Sequence, residues 1–176
     1  MILRPSQKLN ARIKGSPLEV VTAHENPLLD WSAHVFAVGR AEYVLVSNTI
    51  SLYSAVLDGA AIRDTTRFTE RVLGVIRALL DGAGRLPDER LAPVEPVQFA
   101  KSLDRSVTGS MNELITHATA FLAGGDLPVA DVGVRLNDIL LSALASGSSK
   151  YGRPREAFAQ LVGTGSDDRP TSESSW

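Results

Sequence analysis

The apolar positions of the chain change period partway along it, from alternation in the first third to a helical stripe thereafter. The strongest strand signal is Glu42–Ser47, where β-branched and aromatic residues cluster and Ser47-Asn48-Thr49 supplies turn chemistry. Ser51–Val56 is its predicted hairpin partner, and Ser32–Val38 a preceding strand joined through Gly39-Arg40. Three such strands are about the minimum for a stable antiparallel sheet. Ahead of them, Ile2-Leu3-Arg4 forms a short strand, and Ser6 caps a brief helix through Ile13 with Leu9 and Ile13 on one face. Residues 19–26 are irregular.

After Asp58-Gly59 the period becomes helical. Phe68, Val72, Ile76, Leu79 and Leu80 define one face of a helix that covers the sheet, with Asp64 or Thr65 as its N-cap and Gly82 as a left-handed terminator. Pro87, Pro93 and Pro96 make the next stretch extended, and Val97–Lys101 is a further strand with Val97 and Phe99 inward. Ser110-Met111-Asn112-Glu113 has the pattern of a capping box, which starts a helix near Met111 with Met111, Leu114, Ile115, Ala118, Phe121 and Leu122 on its core face; Gly124-Gly125 ends it. Pro128 opens another helix with Val132, Leu136, Ile139, Leu140 and Ala143 buried, stopped by residues 146–149. Pro154 starts a last short helix carrying Ala157, Phe158, Leu161 and Val162.

Strands followed by helices predict the α+β class: a mainly antiparallel sheet of three to five strands covered by three or four helices. A chain of 176 residues accommodates one domain, here 1–162, and the polar, Gly/Ser/Asp-rich remainder 163–176 is expected to be disordered. With 44% hydrophobic and 22% charged residues the domain can bury enough apolar surface to fold without a cofactor. The N-terminus lacks the apolar core of a signal peptide and no run is long enough to span a bilayer, so a cytoplasmic address and no membrane partner are expected.

A net charge of -2 does not mark a polyanion-binding protein, and the absence of cysteine excludes disulfides, thiolate metal sites and a cysteine nucleophile. Nor do any two of the three histidines, His24, His34 and His117, share metal-ligand spacing, so no metal site is expected. There is no phosphate-binding Walker sequence, no Gly-x-Ser-x-Gly, no His-Glu-x-x-His and no calcium loop; Gly82-Ala83-Gly84 follows a helix, the wrong context for a dinucleotide loop.

What remains is the segment from Lys101 to Asn112. Backbone amides at a helix start carry positive partial charge, and Lys101 and Arg105 would add a point charge and a planar fork, so Lys101, Arg105, Ser106, Ser110 and Asn112 are the candidate ligand-binding residues. The competing structural reading has Ser106 and Ser110 capping the helix and Arg105 paired with Asp104 or Glu113. His117, four residues after Glu113, is the candidate general base of an alternative hydrolase or nuclease-like reading, against a plain Glu113–His117 ion pair. Asn48 and Thr49 suit a turn as well as a ligand, and Trp31 suits a core as well as a binding surface. The leading expectation is a binding or regulatory module for an anionic ligand or a protein or nucleic-acid partner. A purely structural protein that self-associates through a sheet edge is the third alternative.

Met1–Arg4, Lys8-Leu9, Asp30-Trp31, the Tyr43–Asn48 strand and turn, and above all Arg105–Leu114 together resemble a bacterial domain-of-unknown-function family over roughly Met1 to Val162. The resemblance implies a shared fold and carries no catalytic roles. Pro5 departs from the family pattern and cannot pair through its own amide.

Overall fold

Burial on both faces of a central sheet is the feature that the strand sequences dictate. In the computed structural model, which describes residues 1–82 and 96–164, the strands are β1 (Ile2–Pro5), β2 (Asp30–Val38), β3 (Ala41–Asn48), β4 (Ser54–Asp58) and β5 (Gln98–Phe99). The helices are α1 (Gln7–Arg12), α2 (Thr65–Gly82), α3 (Arg105–Ala123), α4 (Val129–Leu136) and α5 (Pro154–Thr164), with short 3-10 turns at Pro27–Leu29 and Ser142–Leu144. Within β2 and β3 successive side chains go to opposite layers. Trp31, Ala33, Val35, Val44 and Val46 join Leu3 against α1, α2 and α5 through Leu9, Phe68, Val72, Ile76 and Phe158. Phe36, Leu45 and Val56 pack instead on Met111, Leu114 and Ala118 of α3 and Val132 and Leu136 of α4. Each of these large apolar side chains contributes about 1.5–3 kcal/mol by leaving water.

The α+β class holds, but the sheet is mixed rather than mainly antiparallel. Its order is β4-β3-β2-β1-β5; β2–β3 and β3–β4 are antiparallel, which accounts for most of the paired residues, while β1 runs parallel to both β2 and β5. Hairpins carry a local turn signal. Parallel neighbours are reached through long connections that leave no local trace. Pro5 fits because alternation points its missing amide to the β5 side, past the last ladder bond there; the next amide, Ser6, donates to the Ala33 carbonyl of β2 at 2.8 Å.

Four boundaries differ from those expected. β4 starts at Ser54, not Ser51, because the Asn48 side chain accepts from both the amide and the hydroxyl of Ser51 and holds 48–53 as a wide turn, with Leu52 left-handed at φ 58°. α3 starts at Arg105, five residues before the supposed capping box. Asp104 is the true N-cap, accepting from the Val107 amide at 2.9 Å, and Ser110 lies inside the helix with its hydroxyl donating to the Ser106 carbonyl. α4 ends at Leu136, leaving Leu140 and Ala143 exposed, because the Asn137 side chain binds the amide and carbonyl of Ser54 at 2.7 and 2.9 Å. This contact caps the outer edge of β4. Gly133 allows it, since a Cβ there would lie 2.9 Å from the Ala55 Cα. Finally, only Gln98–Phe99 of the expected strand 97–101 is regular, although Val97 and Phe99 do pack on the core.

Other expectations agree with the structure. Ser6 caps α1 by accepting from Leu9, Asp64 accepts from the Arg67 amide at the start of α2, and Gly125 at φ 72° follows the end of α3. Gly82, expected as a left-handed terminator, is instead the last residue of α2 and does not have a positive φ. Pro87, Pro93, Gly84 and the tail from residue 165 onward lie outside the described residues.

Candidate functional site

The site begins with the sheet's parallel half. β1 leads into α1, which packs on one face, whereas its parallel neighbour β5 leads into α3, which packs on the other. Where adjacent parallel strands send their chains to opposite faces, the carboxyl ends of the strands part around a crevice, the usual ligand position in open sheets. A cleft of about 650 Å³ opens there. Pro5, Ser6 and Gln7 form one wall, Lys101, Ser102, Asp104, Arg105 and Thr108 the facing wall, with Leu18 beside them and His34 contributed by β2.

One buried network positions the second wall. All five N–H donors of Arg4 have acceptors: Nε and Nη2 donate to the two oxygens of Asp30 at 2.7 and 2.9 Å, Nη1 to the carbonyls of Val21 and Lys101, and Nη2 also to that of Thr22. The Lys101 amide in turn donates to the Glu19 carbonyl at 2.8 Å. The backbone of Lys101 is thereby held on both sides while its side chain stays exposed. Burial alone would raise the Asp30 pKa, but hydrogen bonds from Arg4, the His24 amide and Thr49, with the Arg4 charge, hold it below the ordinary value.

Lys101 and Arg105 form no ion pair among the described residues, so Arg105 is paired neither with Asp104 nor with Glu113. The hydroxyls of Ser102 and Thr108 bond each other at 3.0 Å, and Asp104 is engaged at Val107. His34 is 9% exposed, and its burial lowers the pKa, which keeps the imidazole neutral at pH 7.

Of the residues expected to bind a ligand, the cleft therefore brings together Lys101 and Arg105. It does not include the other three. Ser106 is exposed on the first turn of α3, Ser110 is buried and bonded to it, and Asn112 is exposed with its carbonyl accepting from Thr116. His117 lies on the same helix twelve residues beyond Arg105, about 18 Å along the axis, and among the described residues no ion pair joins it to Glu113. Asn48, Thr49 and Trp31 are buried and bonded within the fold, Trp31 through Nε1 to the Leu28 carbonyl at 2.8 Å. The other lining residues fall outside the expected ligand-binding set, and among them His34 is the one contributed by the centre of the sheet. Its alternation with Val35 in β2 was the available signal, but alternation alone does not say that the opposite face is open at that point.

Among the described residues no group of three or more His, Cys, Asp or Glu could hold a metal ion, and no helix is long and apolar enough to cross a membrane. Fold and cleft define an α+β domain, layered on both sides of a mixed sheet, with a crevice at its parallel half that two cations line. The chain belongs to the family described as domain of unknown function DUF6933, which matches residues 2–157, from the start of β1 into α5. No curated protein and no solved structure matches it.

Proposed function

We propose that the chain is a binding module that holds a small anionic ligand in the cleft between β1, β5 and the start of α3. The observation that carries this reading is the presence of two cations, Lys101 and Arg105, without ion-pair partners among the described residues, on one wall of a crevice formed at the carboxyl ends of parallel strands. A volume of about 650 Å³ suits a small molecule better than a macromolecular partner. The two cations differ in chemistry: the Arg105 fork can grip two oxygens, and the Lys101 ammonium adds a mobile point charge. A hydrolase centred on His117 has less support, because that imidazole stands about three turns of α3 away from Arg105.

Titration calorimetry with inorganic phosphate and pyrophosphate tests the reading. Saturable binding is expected, weakened about ten-fold by Arg105→Ala and by Lys101→Ala, since a hydrogen bond to a charged group contributes about 1.5–3 kcal/mol. Asn112→Ala should bind as the parent does. Equal affinity in the parent and the Lys101→Ala/Arg105→Ala double variant would remove the cleft as an anion site.

A further inference from the structure

Most buried polar side chains in this domain are satisfied within the fold; among the described residues the fully enclosed side-chain atom without a partner is Asn10 Oδ1. Arg4 and Asp30 bind each other; Ser32 pairs with Thr49 and Ser47 with Ser54; Asn48 and Ser51 bond together, Ser110 bonds to Ser106, and Asn137 to Ser54. His34, at 9% exposed, is the least buried of the buried polar residues; its imidazole makes no hydrogen bond among the described residues, and neither ring nitrogen is sealed away from the cleft. Its neighbours on β2 explain why. Register sets it opposite Leu45, and Ser32 on the same face is already taken by Thr49, so the remaining direction is the cleft that His34 lines. An imidazole that lines the cleft and has no partner among the described residues is available to a ligand there.

The chemistry of the partner follows from what each wall offers. A neutral imidazole has one N–H donor and one acceptor nitrogen, and the group that complements both is a hydroxyl. Two unpaired cations at the facing wall match a phosphomonoester, which carries about -1.5 to -2 charge at pH 7, better than a single carboxylate. The cleft also has room beyond a bare phosphate. We propose that the cleft takes a hydroxyl-bearing phosphomonoester, its phosphate on Lys101 and Arg105 and a hydroxyl of its body on His34. This rests on the anion-binding reading of the same cleft and adds to it the identity of the second recognition group.

The test compares ribose 5-phosphate, glycerol 3-phosphate and inorganic phosphate on the full chain, by calorimetry and by NMR of the His34 imidazole. At least one of the two phosphomonoesters should bind about ten-fold more tightly than inorganic phosphate and shift the His34 resonances. His34→Phe should abolish that advantage while leaving phosphate binding in place, and His34→Gln, which keeps a donor and an acceptor, should retain part of it. Arg105→Ala should weaken all three compounds together. If inorganic phosphate binds but neither ester binds better, or if the advantage survives in His34→Phe, the His34 role is overturned while the anion site stands. If none of the three binds, the anion site falls and this inference with it.

Discussion

Arg4 and Arg105 both belong to the surroundings of the loop that follows β5, yet their guanidinium groups are used in opposite ways. Arg4 is 1% exposed and every one of its N–H groups has an acceptor, so it joins β1, β2, the 19–22 segment and the carbonyl of Lys101 into one unit. Arg105 is exposed at the start of α3 and pairs with no acid among the described residues. The first has no valence left for anything outside the chain. Among the described residues the second has no acceptor for its N–H groups, and it stands beside a cleft. Charge by itself thus says little about role; the number of unmet hydrogen bonds separates a strut from a binding group.

That contrast can be broken by substitution, and the largest effect should fall on the strut. Arg4→Met strands the Asp30 carboxylate in the interior and should cost about 3–5 kcal/mol in denaturant unfolding, of which Arg4→Met/Asp30→Leu should regain part. Asn137→Ala comes next: it leaves the amide and carbonyl of Ser54 unmet at the edge of β4, for a loss of about 1–3 kcal/mol. Acid should act in two stages. The lowered pKa of His34 means the unfolded chain binds its proton first, so stability is full above roughly pH 6.5 and declines as pH falls toward the folded value, a limb absent from His34→Gln. The lowered pKa of Asp30 adds a second decline that begins near the unfolded value, roughly pH 3.9, and continues through the folded one. The smallest change is expected for Arg105→Ala, within about 0.5 kcal/mol of the parent in stability. A loss there comparable to that of Arg4→Met would make Arg105 a second strut and end the distinction.

Much of the fold was legible because it is written in local periodicity. The β2–β3 hairpin followed from alternation around Gly39-Arg40, and the buried face of α2 from Phe68, Val72, Ile76 and Leu80. The start of α3 was misread because Ser110 and Glu113 have the spacing of a capping box, a pattern that also occurs inside helices. Asp104, with a free carboxylate at the right distance from Val107, is the stronger cap. The end of α4 was misread for a different reason: the apolar stripe continues through Ile139 and Leu140, while the helix is cut by a contact between Asn137 and a strand more than eighty residues earlier.

Sequence alone determined the α+β class, the hairpins, the main helical faces and two cleft residues, Lys101 and Arg105. These depend on side-chain periods and residue types that act within a few positions of one another. Tertiary structure alone decided that β1 lies parallel between β2 and β5, that Arg4 is consumed by Asp30, and that His34 faces the same crevice as Arg105. Those facts join residues separated by 26 to 97 positions, and a contact that closes a long loop leaves no periodic mark on the residues that make it.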